Sequence, residues 1–270
     1  MRHSLIGIAV ATAALAVAGV AAHQPAAKNA AIDAAVAAPT RSPANTARDQ
    51  YRHPAETLAF FGVKPGDTVV EIWPGGGWYT EILAPLTRGK GTLYAAVPNN
   101  GSKGVDALKA KQPALYGPIR VVSFPAAQGQ AKVPDGTADV VLTFRNVHNW
   151  RMGYQRDGED YSAEAFKQMY AMLKKGGTLG IEDHRLPENA SAERETSSGY
   201  IKVSTVRRLA EAAGFQFVGA SEVNANKADT ADWPNGVWTL PPTYALKDQD
   251  RAKYAAIGES DRMTLKFRKP

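Results

Sequence analysis

The strongest constraint on this chain is an alternation. Between Thr68 and Gly214, short apolar runs take turns with helix-spaced ones. TVVEIW (68–73), GTLYAAV (91–97), IRVVSF (119–124), ADVVLTF (138–144) and TLGIED (178–183) are nearly continuous in apolar residues. Strands covered on both faces read this way, because a strand with one wet face alternates apolar and polar. Between and around them, HPAETLAFFG (53–62), GWYTEILAPL (77–86), SKGVDALKAKQ (102–112), SAEAFKQMYAMLKKGG (162–177) and STVRRLAEAAG (204–214) read as helices. Pro54 suits a first helical turn and Gly62 a stop. Ser162 is the expected cap of its helix, with Gly176–Gly177 as its end. Two later strands follow, FQFVGASEV (215–223) and DRMTLKFRK (261–269), the second alternating as an antiparallel strand near an edge would. The expected fold class is α/β: a doubly wound, mostly parallel seven-stranded sheet with an antiparallel last strand. Ligands of such sheets bind beyond the carboxyl ends of the strands, where the strand order reverses. The positions to watch therefore follow Trp73, Val97, Phe144 and Asp183.

The ends of the chain set its organisation. MRHSLIGIAVATAALAVAGVAA reads as a signal peptide over 1–22, with cleavage after Ala22. Residues 23–46 are rich in alanine and read as a flexible tether. Residues 47–270 form the expected domain, with a lid-like insertion around 225–258. In that insertion DWPNGVWTLPPTY carries Trp233, Trp238 and Tyr244, which either cover the cleft or patch the core beneath a loop. An exported, periplasmic protein without stable membrane insertion is expected. The absence of cysteine excludes disulfides, a lipid-anchored cysteine and thiolate chemistry. The net charge of +6 comes with no dense Lys/Arg run, so no nucleic-acid partner is expected.

The loop VVEIWPGGGWYTEILAP (69–85) joins a strand to a helix through Gly75, Gly76 and Gly77. Such a loop either lets a ligand approach the backbone or simply makes a tight turn. Pro74 should hold Trp73 extended. A dinucleotide fingerprint is poor, because Thr80 stands where its third glycine belongs. At the mouth of strand four, Arg145, Asn146, His148 and Asn149 are polar groups that either line a site or cap the next element. His148 is a candidate base, Arg145 a candidate partner for an anion, and Trp150 a surface for stacking. EDHR (182–185) either faces the same cleft or pairs internally, Arg185 with Asp183. Asp261 and Arg262 are an expected ion pair. No metal ligand set is favoured; a divalent metal would use His148 and His184 with Asp183 or Glu182.

The block Glu71–Ile72–Trp73–Pro74–Gly75–Gly76–Gly77 resembles the first motif of the class I S-adenosylmethionine-dependent methyltransferases. RDQYRHPAETLAFFG, TFRNVHNW, EDHR, GVWTLPPTY and IGESDRMTLKF are similar to a family of exported bacterial proteins predicted to be methyltransferases. The resemblance spans about Arg48 to Pro270. It implies a Rossmann-like methyltransferase fold and S-adenosylmethionine as cofactor. Glu71, Gly75, Gly76 and Gly77 would hold the methionine end, with Asn146 near the adenine; Asn99 or Asn100 could, from their side chains alone, hydrogen-bond a ribose hydroxyl, more weakly than an acid. On this reading His148, then His184, is the candidate base by its side-chain chemistry, with Arg145 beside them, and the acceptor is a small molecule or envelope-borne. The chain departs from the motif at Trp73, in place of a glycine, and at Val97, in place of a ribose-binding acid. The alternatives are a non-catalytic small-molecule binding protein of the same fold, or a metal-dependent hydrolase or lyase using His148, His184 and Asp183.

Overall fold

Strand residues split by parity between two cores. Val69, Leu93, Ala95, Val140 and Leu142 pack on one face of the sheet, while Val70, Tyr94, Ala96 and Val141 pack on the other. The computed structural model describes residues 29–99 and 101–270. Within them the elements run α1 (Ala30–Val36), α2 (Pro43–Thr46), α3 (Asp49–Arg52), α4 (Pro54–Phe61), β1 (Thr68–Ile72), α5 (Thr80–Thr87), β2 (Thr92–Val97), α6 (Lys103–Lys111), α7 (Pro113–Tyr116), β3 (Arg120–Ser123), β4 (Ala138–Phe144) and α8 (Val147–Arg151). They continue as α9 (Ser162–Met172), β5 (Leu173–Leu186), β6 (Ile201–Lys202), α10 (Val203–Ala212), β7 (Gln216–Ser221), α11 (Arg251–Ile257) and β8 (Arg262–Arg268).

The sheet order is β3-β2-β1-β4-β5-β8-β7, and the two-residue β6 pairs with the end of β5. Strands β1 to β5 are parallel, and β8 runs antiparallel between β5 and β7. This is the expected doubly wound sheet with its antiparallel last strand. The chain moves outward from β1 through β2 to β3, then returns to β4 on the other side of β1. The crevice between the ends of β1 and β4 is thus the switch point where ligands of such sheets bind.

Three expectations need correction. The tether is folded from Asn29 onward. Asn29 Oδ1 accepts from the N–H groups of Ala31 and Ile32, capping α1, and Ile32 is fully buried. Arg41 then holds Asp49 (2.6 Å), and Glu81 accepts from Ser42 N (2.9 Å). The helix begun at Ser162 ends at Met172, not at the glycines, because Leu173 is already extended. Its start is capped by Asp160, whose Oδ1 accepts from Ser162 N (2.9 Å) and Oγ (2.6 Å). The signal-peptide reading, and residues 23–28, lie outside the described residues.

Ile32→Ala is expected to cost about 3 kcal/mol in urea unfolding, as for a large-to-small change in a core. A residue in a free tether would change nothing measurable.

Candidate functional site

A cavity of about 360 Å³ opens at the switch point. Its walls come from the ends of β1, β4 and β5, from α3 and its approach, and from the segment that precedes β8. Glu71, Gly75, Gly76, Arg145, Asn146, His148 and His184 all line it, as the sequence suggests. Two of the expected cofactor residues lie outside its lining. Gly77 is buried against α6, where a side chain would meet Leu108 Cδ1 at 2.5 Å. Asn99 lies in a separate groove beside Val97 and accepts from Gln130 Nε2 (3.2 Å). Asn100 lies outside the described residues.

Glu71 is the last residue but one of β1; its side chain is buried, and its Oε2 accepts from Thr80 Oγ1 (2.6 Å). Burial pushes its carboxyl up to about 7, against the lowering effect of Thr80. Asn146 clips the switch point together: its Nδ2 donates to Ile72 O (2.9 Å) and to Thr143 Oγ1 (3.2 Å). Arg145 takes a left-handed backbone, φ 63°. That conformation is costly for a side chain with a Cβ, and it turns the arginine into the cavity.

The two histidines form the chemical centre. His148 Nδ1 lies 2.6 Å from Asp183 Oδ1. The carboxylate also accepts from His148 N (3.2 Å) and His184 N (2.8 Å). An Nδ1–H donated to Asp183 leaves the Nε2 lone pair of His148 as the free base. His184 Nδ1 is 2.5 Å from Ser260 Oγ, and the two rings sit 5.0 Å apart. Burial, then the charge of His148 and of nearby arginines, holds His184 well below the usual histidine range, so it stays neutral at neutral pH.

The expected Arg185–Asp183 pairing does not form. Arg185 points outward to Asp261 (2.8 Å) and Glu222 (2.8 Å). That in turn breaks the expected Asp261–Arg262 pair. Arg262 is buried and bonds Glu182 (2.9 Å) and Glu259 (3.3 Å). Glu182 also accepts from Tyr79 OH (3.1 Å), so it supports the site from behind.

Sequence reasoning missed Arg48, Arg52 and Glu259. All three line the cavity, and Glu259 accepts from Arg48 Nε (2.6 Å) and Arg52 Nε (3.1 Å). Of the three late aromatics, Trp238 faces the cavity. Trp233 bonds Asp229 and packs under the loop, and Tyr244 lies beneath Arg251. Trp150 is fully buried and offers no stacking face.

Trp73 does not take the extended geometry expected before proline. Its φ is 50°. Its N–H still extends the β1–β2 ladder to Ala96 O (2.8 Å), but the turn sends the indole onto the same face as Ile72. There Nε1 donates to Phe124 O (2.8 Å), and the ring meets Trp150 edge-on at 5.9 Å.

No protein-family model matches the chain, and no curated protein does either. Solved structures do. One is a SAM-dependent methyltransferase from Aquifex aeolicus, at 17% identity and a TM-score of 0.55, covering 85% of this chain and 94% of that one. Another is phosphoethanolamine N-methyltransferase 2 of Haemonchus contortus, in complex with S-adenosyl-L-methionine, at 13% identity and a TM-score of 0.52, covering 82% and 52%. A third is the [4+2]-cyclase SpnF, at 14% identity and a TM-score of 0.52, covering 84% and 81%. The chain has the methyltransferase fold. A methyltransferase fold does not by itself fix a reaction, as a cyclase among the three illustrates.

The residues present fit the amino-acid end of S-adenosylmethionine. Glu71, Gly75 and Gly76 line the cavity, and an added Cβ on Gly75 or Gly76 would meet nothing within 4 Å. At the nucleoside end of this methyltransferase fold, β2 offers Val97 and no acid, and the indole of Trp73 fills the space beside Phe124 and Trp150. A divalent metal fits poorly. His148, Asp183 and His184 bring candidate ligand atoms within 4.8 Å of one another, but Asp183 already accepts from His148 and from two backbone N–H groups. Both Nδ1 atoms are engaged, which leaves two imidazole nitrogens in a field of arginines.

Proposed function

We propose that the protein is an S-adenosylmethionine-dependent methyltransferase of the cell envelope, acting on a small or envelope-borne acceptor. One observation carries this reading. A single cavity is lined by Glu71, Gly75 and Gly76 and also by His148, which Asp183 backs from the interior. Bound there, S-adenosylmethionine would supply an electrophilic methyl group. His148 accepts the acceptor's proton at Nε2, and Asp183 stabilises the imidazolium that results. His184, neutral and tied to Ser260, orients the acceptor by hydrogen bonding. Trp238 and Pro241–Pro242 line the same cavity and give it an apolar side.

The indole of Trp73 favours a second reading, a small-molecule binding protein that does not use the cofactor. Calorimetric titration of S-adenosylmethionine into the wild-type protein and Trp73→Ala separates the two. The first reading expects saturable binding by wild type, and methyl transfer lowered about a hundredfold or more in His148→Ala. Binding by Trp73→Ala alone would favour the second reading. Binding by neither protein removes the cofactor from the account.

A further inference from the structure

The arginine-lined end of the cavity holds more positive charge than the protein itself neutralises. Arg48, Arg52 and Arg145 line it, and Arg262 lies just behind. Two carboxylates answer these four arginines: Glu259, shared by Arg48, Arg52 and Arg262, and Glu182, which Arg262 also holds. Glu71 lines another part of the wall, and its burial favours the neutral acid. Hydrogen bonds are also unspent. The terminal NH2 nitrogens of Arg48 and Arg52 are buried without a partner among the described residues, and Arg52 is only 1% exposed. The guanidinium of Arg145 makes no hydrogen bond or ion pair among the described residues.

An arginine left in this condition is expensive unless something outside the chain completes it. The strain is visible in the charges. Burial, and after it the charge of Arg145, brings Arg52 down to about 9. Burial pushes the carboxyl of Glu259 up, but Arg52, Arg262 and Arg48 outweigh it and bring it down to about 2. The chain therefore uses Glu259 fully and still leaves Arg145 unanswered. A planar fork of donors matches the paired oxygens of a carboxylate or phosphate.

We infer that this end of the cavity is an oxyanion site, in which Arg145, Arg52 and Arg48 receive a phosphate or carboxylate group borne by the substrate. The inference rests on reading the cavity as the acceptor site, and it gives that acceptor a chemical class. The anion would anchor against the arginines and leave the reacting atom toward His148, on the same cavity wall.

The test is calorimetric titration of the full chain with inorganic phosphate and with malonate, at constant ionic strength and without S-adenosylmethionine. Saturable binding of at least one is expected, weakened at least tenfold in Arg145→Met. Phosphate alone would indicate a phosphoryl group, and malonate alone a carboxylate. Thermal unfolding in chloride buffer gives a second readout. Arg145→Met is expected to match or exceed the wild-type melting temperature, because it removes a half-buried charge that no carboxylate of the described residues pairs with. Binding of neither anion, or equal binding by wild type and Arg145→Met, overturns the inference. So does a lower melting temperature for the variant with unchanged anion affinity. A parallel titration with S-adenosylmethionine keeps the two ideas apart. Cofactor binding without anion binding rejects only the oxyanion site, and the reverse rejects only the cofactor.

Discussion

Arg262→Ala is expected to destabilise the protein by about 3–5 kcal/mol in urea unfolding at neutral pH. Arg262 is 1% exposed and sits on β8 opposite His184. Its NH1 donates to Glu182 Oε1 (2.9 Å) and Glu259 Oε2 (3.3 Å), and its NH2 donates to Tyr51 O. Removing it takes a cation from two buried carboxylates, but strands only one of them. Glu259 keeps Arg48 and Arg52, but Glu182 keeps only the hydroxyl of Tyr79. The cost therefore comes mainly from an uncompensated charge at Glu182. A double variant, Arg262→Met with Glu182→Gln, should recover a large part of it, because both members of the buried pair are neutralised together and neither is left uncompensated. A loss below about 1 kcal/mol in the single variant would mean that water reaches Glu182, contrary to its burial.

Glu71→Gln is expected to stabilise the protein at pH 8 by about 3 kcal/mol and to do little at pH 4.5. The folded-state pKa of Glu71 is raised to about 7 from an ordinary 4.5. Between those values the folded chain holds a proton that the unfolded chain has lost. The wild-type protein therefore loses stability as pH rises from about 4.5 through 7, and the deficit is complete above 7. Glutamine is neutral throughout and can still accept from Thr80 Oγ1, so the difference between the two proteins isolates this one proton. Urea unfolding of both at the two pH values measures it. An equal shift at both would show that the effect is one of packing rather than of charge.

The sheet was legible because burying a strand on both faces forces a nearly continuous apolar run, and β1 to β5 carry it. Elements governed by a few atoms were not. The helix α1 hides in alanine-rich sequence, where Ile32 and Ala35 alone are buried on its inner face, although Asn29 before it and Asp33 in its first turn are cap signals. Gly176 and Gly177 look like a helix stop, but β5 has already begun. Gly176 N donates to Lys269 O (2.7 Å), and Lys269 N donates to Gly177 O (3.0 Å). At Trp73 the preference of a residue before proline gives way to an indole hydrogen bond and a packed ring. In the site, single residues were readable and their partners were not. His148, Asp183 and Arg185 stand out in sequence, yet Asp183 takes the histidine 35 residues back rather than the arginine two residues on. Spacing carries no trace of such a choice, since only the register of β4 beside β5 creates it.

Arg48 and Glu259 meet across 211 residues of chain, and Arg52 and Glu259 across 207. Contacts so remote in sequence form late, because the loop they close must first lose its freedom. The central strands can pair while the last strand is still absent, but this wall of the cavity cannot exist until β8 and the segment before it have docked. A chain truncated before Glu259 would lose the pocket together with Arg262 and the core residues Met263, Leu265 and Phe267. Appearance of the pocket during refolding therefore reports completion of the whole chain, and a ligand that fills it acts on the final step of folding.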